Sequence, residues 1–244
     1  MNNSRVAPSL APMRCSLVLA VLTASPAVLA APAGTGTIRG TVVFDGTPPA
    51  RTALRRDTDP YCAKTEQRSE DVVVTRGKLK DVLVRIENGT MGTHRAPATP
   101  VLVDQKQCTY TPRVVGVLAG QKLAVRNSDG TFHNVHGLVN GKDLWNKPHA
   151  PQAPDHALGT SARPGDVIDL VCDVHPWMRA YAVVHDHPYF TVTGEDGAFE
   201  LTGLPPGTYT VEAWHPTLGT RSVRVKVGKG ARRHATARFT FSAR

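Results

Sequence analysis

Short runs of Val, Ile and Leu separated by turn residues recur along most of the chain. Such runs predict β-strands, because alternate side chains of a strand face opposite sides of its sheet. The predicted strands lie at 37–44, 71–74, 82–86, 101–104, 114–118, 123–126, 167–171 and 181–185. Strands 71–74 and 82–86 are expected to form a hairpin, and the proline-rich stretch 140–164 is expected to be a long loop. The pattern predicts an all-β protein built as a β-sandwich.

The pattern changes after Pro188. Residues 190–214 alternate strand-like runs with Asp-Gly and Pro-Pro-Gly turns, which predicts a second β-sandwich over 188–244. The predicted domains are therefore an N-terminal β segment at 31–80, a first sandwich at 81–187 and the second sandwich. A second arrangement stays open, in which the N-terminal strands belong to the second sandwich and the first sandwich is inserted in it.

The first thirty residues have the organisation of a secretory signal. Arg5 and Arg14 give a basic start, 17–22 is apolar, and Val-Leu-Ala at 28–30 precedes the predicted cleavage point. No later segment approaches the eighteen consecutive apolar residues typical of a membrane span. We therefore predict a signal peptide over 1–30 and a periplasmic or secreted protein that is not transmembrane.

Two short motifs carry candidate metal chemistry. Residues 172–178 read Cys-Asp-Val-His-Pro-Trp-Met, and 126–136 end in His-Asn-Val-His, which supplies His133 and His136. One Cys with two His and a weak axial Met is the ligand set of electron-transfer copper sites. A zinc site of one cysteine and three histidines is the alternative. Met178 favours copper, because zinc rarely takes a thioether ligand.

The two motifs resemble those of the cupredoxins, the amicyanin-like and plastocyanin-like blue-copper proteins, over 81–187. The resemblance implies a Greek-key β-sandwich that holds one type 1 copper and carries single electrons between redox partner proteins, without catalysis. It makes His133, Cys172, His175 and Met178 the metal ligands. It gives Asn134 the role of joining the two ligand loops, and it leaves His136 outside the ligand set.

The same resemblance implies where electrons leave. In cupredoxins the ring edge of the second His reaches the surface, so His175 is expected there, with Trp177 either beside it in a docking patch or packed inward. Val174 stands where amicyanin-like sequences have a proline, which leaves a backbone N–H close to the cysteine sulfur. A hydrogen bond from that group to the thiolate is expected to raise the reduction potential.

The C-terminal motif Asp-Gly-x-Phe followed by Leu-Pro-Pro-Gly-x-Tyr-x-Val resembles a different family. It is similar to the carboxypeptidase-regulatory-like, or carbohydrate-binding-like, sandwich found as the middle domain of rhamnogalacturonan lyases. The resemblance implies an immunoglobulin-like or prealbumin-like fold and contact with polysaccharide or the cell surface. Trp214 either stacks on a sugar or packs in the core.

Beyond the signal segment the chain has three cysteines, and export favours disulfide pairing. With Cys172 assigned to copper, Cys62 and Cys108 are predicted to form a disulfide. The alternative is a second metal site, but neither cysteine has a histidine within three residues.

The formal net charge is +9, and 221–244 contains eight Lys or Arg and no acidic residue. Such a basic face suits an acidic partner, an anionic polysaccharide or the cell surface, or is merely solvated. Export and the absence of nucleic-acid-binding motifs argue against nucleic acid. Two other functions remain open: a copper carrier without redox partners, and a carbohydrate-binding or surface protein whose metal is structural.

Overall fold

The structure is a computed structural model that describes Met1 and residues 35–92 and 94–243. Residues 2–30 of the predicted signal peptide lie outside the described residues. In the described part the chain forms eighteen strands and two short 3-10 helices, which confirms the all-β class. Among these residues no helix is long and apolar enough to span a membrane.

The strands are β1 (Gly36–Asp45), β2 (Val74–Thr75), β3 (Lys78–Leu79), β4 (Leu83–Ile86), β5 (Val101–Lys106), β6 (Thr109–Thr111), β7 (Val114–Leu118), β8 (Leu123–Asn127), β9 (His133–Val139), β10 (Lys142–His149), β11 (His156–Leu158), β12 (Val167–Val171), β13 (Arg179–His185), β14 (Phe190–Val192), β15 (Ala198–Leu204), β16 (Gly207–His215), β17 (Gly219–Val227) and β18 (His234–Ser242). The 3-10 helices are Cys62–Lys64 and Gly230–Arg233.

Two sheets enclose the core that carries the candidate metal residues. One has the order β10-β9-β12-β13-β7, and the other has the order β11-β8-β5-β6. Strand β12 shows why the two sheets pack together. Ile168 and Leu170 are buried on the face towards the other sheet, whereas Asp169 between them points to the opposite face. The same core contains Val103, Tyr110, Val117, Leu123, Val125, Val135, Cys172 and Met178.

Two further sheets enclose a second core. Their orders are β15-β1-β3-β2, with β18 beside β1, and β14-β4-β16-β17. Strand β1 pairs with β15 in antiparallel fashion and with β18 in parallel fashion, so the first strand shares a sheet with the C-terminal strands. The buried side chains include Ile38, Val42, Phe44, Leu79, Val84, Ile86, Phe199, Leu201, Val211, Phe239 and Phe241.

A small apolar cluster links the two pairs of sheets. Leu83 of β4 packs with Val114 of β7 and Val183 of β13. Trp214 packs against the same cluster, and its ring meets the Tyr181 ring edge-on with centroids 5.8 Å apart. Of the two roles predicted for Trp214, packing in the protein is therefore the one observed, and its position gives no support for stacking on a sugar.

Two local predictions were wrong. The hairpin of 71–74 with 82–86 does not form: β2 pairs with β3, and β4 pairs with β14 and β16. The predicted loop 140–164 contains β10, which is mostly exposed and pairs with β9 along its length. An exposed strand needs no apolar alternation, so hydrophobic patterning could not reveal β10.

Candidate metal centre

The turn between β12 and β13 supplies three of the four predicted ligands. Cys172 follows the last residue of β12, His175 lies in the turn, and Met178 precedes β13. The backbone N–H of Met178 donates to His175 O at 2.9 Å and closes the turn. All three residues are buried, with exposed fractions of 2%, 1% and 1% respectively. The turn therefore places its sulfur and imidazole groups inside the sandwich.

His133, the first residue of β9, faces this turn. Its Nδ1 lies 2.9 Å from Nδ1 of His175 and 4.0 Å from Sγ of Cys172, and Sγ lies 3.7 Å from Nδ1 of His175. His133 is fully buried. The structure thus brings together one thiol and two imidazole nitrogens. Met178 packs in the same core cluster as Cys172.

Each of the two histidines is held on its other nitrogen by a carboxylate. Nε2 of His133 lies 3.0 Å from Oδ2 of Asp129, and Nε2 of His175 lies 3.0 Å from Oδ2 of Asp59. An ionised carboxylate only accepts, so each Nε2 carries the hydrogen. The two Nδ1 lone pairs then face each other beside the sulfur, and only a shared proton or a cation between them can satisfy both.

The protonation equilibria of the three residues differ. Burial lowers the pKa of His133, but the hydrogen bonds and charges of Asp129 and Cys172 raise this pKa above its usual value overall, so a proton there would compete with a metal. Burial raises the pKa of Cys172, but the pKa falls below its usual value overall because His133 and the backbone N–H groups of Asn134, His175 and Val174 stabilise the thiolate. The Val174 donor exists because this position is not proline. Burial lowers the pKa of His175, and the hydrogen bond that its Nε2 donates to Asp59 only partly opposes this shift. A thiolate and a neutral imidazole are the forms that bind metal.

Asn134 connects the two ligand loops. Its Oδ1 accepts from the backbone N–H of Asp173 at 2.7 Å, and its Nδ2 donates to Oδ2 of the same aspartate at 2.7 Å. Asn134 follows His133 and Asp173 follows Cys172 along the chain. The contact is the one expected of a residue that fixes ligand orientation.

His136 lies outside the cluster. In a strand, residues three apart point to opposite faces, so His133 faces the core and His136 does not. Its Nδ1 and Nε2 lie 2.9 Å from Asp173 and 2.9 Å from Asp143. The bond to Asp173, with that to Asp143, raises the pKa of His136 despite its partial burial. A histidine held between two carboxylates has no free nitrogen for a metal.

The predicted disulfide is present between Cys62 and Cys108. It lies beside the candidate ligands: Sγ of Cys62 is 3.7 Å from Nε2 of His175. In the described residues, every convergent group of three or more metal-ligating side chains involves His133 or His175. His149 and His156 face each other with ring centroids 4.4 Å apart but have no third ligand in such a group.

The prediction that the edge of His175 reaches the surface was wrong. Asp59 and Cys62 cover this edge, and His175 is 1% exposed. Trp177 packs inward: its Nε1 donates to Cys108 O at 3.0 Å, and its ring centroid lies 5.0 Å from that of His175. The resemblance could not show this, because the covering residues precede the matched segment.

Sequence reasoning missed Asp59 and Asp129. Asp129 comes four residues before His133 in the same loop, a proximity that could have suggested a partner. Asp59 gave no such signal, since it lies in a loop with no periodicity, far from both motifs in sequence. Its proximity to Cys62, once the disulfide is assumed, is the only available hint.

No protein-family model and no curated protein matches the chain. Among solved structures, a purple cupredoxin from Nitrosopumilus maritimus aligns at 21% identity and a TM-score of 0.29, covering 34% of this chain and 98% of that one. A Cu(I) amicyanin variant aligns at 20% identity and a TM-score of 0.31, covering 42% and 98%. An oxidised amicyanin variant gives the same identity, TM-score and coverage.

Proposed function

We propose that this protein is an exported copper protein that carries single electrons between redox partners. The observation that carries the proposal is the convergence of Cys172 Sγ with Nδ1 of His133 and Nδ1 of His175 in a buried site. A soft thiolate with two imidazoles suits copper. Met178, buried in the same core, is proposed as the weak fourth ligand.

The residues fit copper in their type, and two carboxylates determine which imidazole nitrogens face the site. Asp129 and Asp59 hold the hydrogens on Nε2, so both Nδ1 atoms would face a bound metal. Copper bound there would supply one-electron chemistry by cycling between Cu(II) and Cu(I). The chain's part is to hold the ligands in one geometry: β9 fixes His133, the β12–β13 turn fixes the other three, and Asn134 joins the two.

Burial determines what the site does not do. All four proposed ligands are at most 2% exposed, so solvent has little access to the ligand atoms. A catalytic metal site keeps an open coordination position for water or substrate. We therefore propose electron transfer without turnover of a substrate.

The second sandwich and the cellular location belong to the same proposal. The predicted signal segment favours a periplasmic or secreted protein. The basic residues of β17 and β18 would present positive charge to an acidic partner, a polysaccharide or the cell surface. The division into domains at 31–80, 81–187 and 188–244 stays a prediction.

A transfer experiment separates an electron carrier from a copper carrier. Protein loaded with one equivalent of copper and reduced would be mixed with an oxidised one-electron haem acceptor and then separated by gel filtration. We expect one electron to pass per chain while copper stays with this protein. Copper that leaves with the acceptor would indicate a copper carrier, and Cys172→Ser provides the inactive control.

A further inference from the structure

The candidate centre is closed by a segment outside the two ligand motifs, residues 56–65, here called the lid. Oδ2 of Asp59 lies 3.0 Å from Nε2 of His175, and Sγ of Cys62 lies 3.7 Å from the same nitrogen. Together they bury the ring of His175, which would otherwise form the outer wall of the site.

Polar contacts hold Asp59 in place. Thr131, from the loop before His133, donates its hydroxyl to Oδ2 at 2.8 Å. The other oxygen, Oδ1, accepts from the backbone N–H of Tyr61 at 2.7 Å and of Cys62 at 3.2 Å. With the contact to Nε2 of His175, these bonds hold both oxygens of the carboxylate in place.

The lid itself is fastened to the β5–β6 hairpin. The disulfide joins Cys62 to Cys108, which lies between those strands. The buried guanidinium of Arg56 donates to Cys62 O and, at 2.8 Å, to Gln107 O. Because Gln107 precedes Cys108, Arg56 connects the backbone on both sides of the disulfide. On the other side, the Tyr61 ring lies so close to Gly130 that a Cβ there would meet it at 2.9 Å.

The lid has almost no apolar core of its own. Its residues are mostly exposed, and its deeply buried members are Arg56 and Cys62. Hydrophobic burial, which holds the sandwiches together, therefore contributes little to keeping this segment closed. Its position depends on the disulfide, on Arg56 and on the carboxylate of Asp59.

We propose that Asp59 is a positioning residue for His175 and that the disulfide-anchored lid controls metal exchange at the centre. This inference rests on the proposed copper function. With Nε2 bound to Asp59, the His175 ring cannot rotate its Nδ1 away from the metal unless the lid moves. Metal exit then requires breaking the Asp59 contact and displacing Cys62.

Variants of two neighbouring aspartates test this role. Asp59→Asn keeps the size of the side chain but removes its charge, and Asp59→Glu restores the charge. Asp57→Asn is the matched control, because the Asp57 side chain is 73% exposed and its ion pair with Arg55 is long, at 3.9 Å. Each protein would be loaded with Cu(I), and release to an excess of a Cu(I) chelator would be followed by absorbance.

We expect Asp59→Asn to release copper about tenfold faster or more, the scale of effects seen when partners of metal-binding histidines are removed. Asp59→Glu should recover part of the loss, and Asp57→Asn should match the wild type. The reduction potential of Asp59→Asn should also rise, because the wild-type carboxylate stabilises Cu(II) relative to Cu(I) and the variant loses that charge. A residue that only supports the fold would not shift the potential in this direction.

The role of the disulfide is tested with a double variant, Cys62→Ser with Cys108→Ser. This double variant should release copper faster than wild type while circular dichroism shows that it is folded. A metal-free readout accompanies it: modification of His175 by diethyl pyrocarbonate, located by peptide mass analysis, should be slow in wild type and fast in the variant.

The outcomes separate the two proposals. If wild type binds one copper with the expected spectrum but Asp59→Asn and the double variant release it at the wild-type rate, the lid proposal is wrong and the proposed function stands. If wild type binds no copper, both fail. Rapid modification of His175 in the wild-type apoprotein would also overturn the lid proposal.

Discussion

Asn134 Oδ1 accepts a hydrogen bond from the backbone N–H of Asp173 at 2.7 Å. This bond ties the residue after His133 to the residue after Cys172, so it fixes the spacing of two proposed ligands that lie 39 residues apart in the chain. Removing it leaves a partly buried N–H without its acceptor and allows the loops to separate.

We expect Asn134→Ala to weaken copper binding by about 10-fold to 100-fold, as is typical for outer partners of metal ligands. The measurement is a competition titration against a chelator of known affinity. Asn146→Ala is the control for the side-chain contacts alone, because the exposed Asn146 accepts from Asn134 Nδ2 at 2.8 Å and donates to the Asp173 carboxylate at 2.8 Å, whereas the bond to the Asp173 backbone comes from Asn134. Equal losses of copper affinity in both variants would show that the bonds to the Asp173 carboxylate matter, rather than the bond between Asn134 and the Asp173 backbone.

The two histidines of β9 make a matched pair. His133→Ala should abolish the visible copper band, because the variant loses an imidazole of the buried cluster. His136→Ala should keep the band, since both nitrogens of His136 already bind carboxylates. Visible absorption of the two Cu(II)-loaded variants tests this, and a band that survives only in His133→Ala would reverse our ligand assignment.

The disulfide should contribute to the stability of the fold. It links residues 46 apart, and removal of a bridge of this kind typically costs about 2–5 kcal/mol in the free energy of unfolding. Urea unfolding of the Cys62→Ser, Cys108→Ser double variant measures the loss. Thiol titration of the denatured, metal-free wild-type protein, without the signal segment, should find one thiol, at Cys172. Three thiols would contradict the bridge.

Two buried histidines predict sensitivity to acid. Burial, aided by nearby arginines, lowers the pKa of His185 to about 2 and that of His215 to about 4. In the unfolded chain both take up a proton near pH 6.5. Because the pKa values of both histidines are lower in the folded protein than in the unfolded chain, the stability that the neutral histidines contribute is fully present above pH 6.5. This stability is lost as the pH falls from 6.5 towards the folded pKa values. Linkage puts the loss at about 3 kcal/mol for each histidine by pH 4.

Urea unfolding at pH 7 and pH 4 checks this prediction, with His215→Gln as the test variant. The variant should be less stable at pH 7 but should lose less stability between the two pH values. Nδ1 of His215 accepts from the backbone N–H groups of Thr217 and Leu218 at 3.2 Å and 3.3 Å, so the neutral form is the one that fits. An unchanged pH dependence in the variant would contradict the assignment.

The sequence predicts well what hydrophobic alternation and local motifs control. Strand β12 alternates Ile168, Asp169 and Leu170, and its prediction over 167–171 is confirmed. The disulfide followed from export and the number of cysteines. The grouping of Cys172 with His175 follows from their spacing, since both lie in one turn.

Features that depend on distant segments could not be predicted in this way. Strand β10 forms because β9 offers a free edge, although its own residues are polar. The closure of His175 depends on Asp59, which lies 116 residues away and is held beside it by the disulfide, Arg56 and Thr131. A resemblance confined to the ligand motifs carries no information about residues added outside it.

The measurement that tests the central claim most directly is the visible and electron paramagnetic resonance spectrum of the protein with one equivalent of Cu(II). We predict an intense thiolate-to-copper band that is lost in Cys172→Ser and a signal from one copper per chain. A colourless complex, or a spectrum unchanged by Cys172→Ser, would contradict the claim that Cys172, His133 and His175 form an electron-transfer copper site.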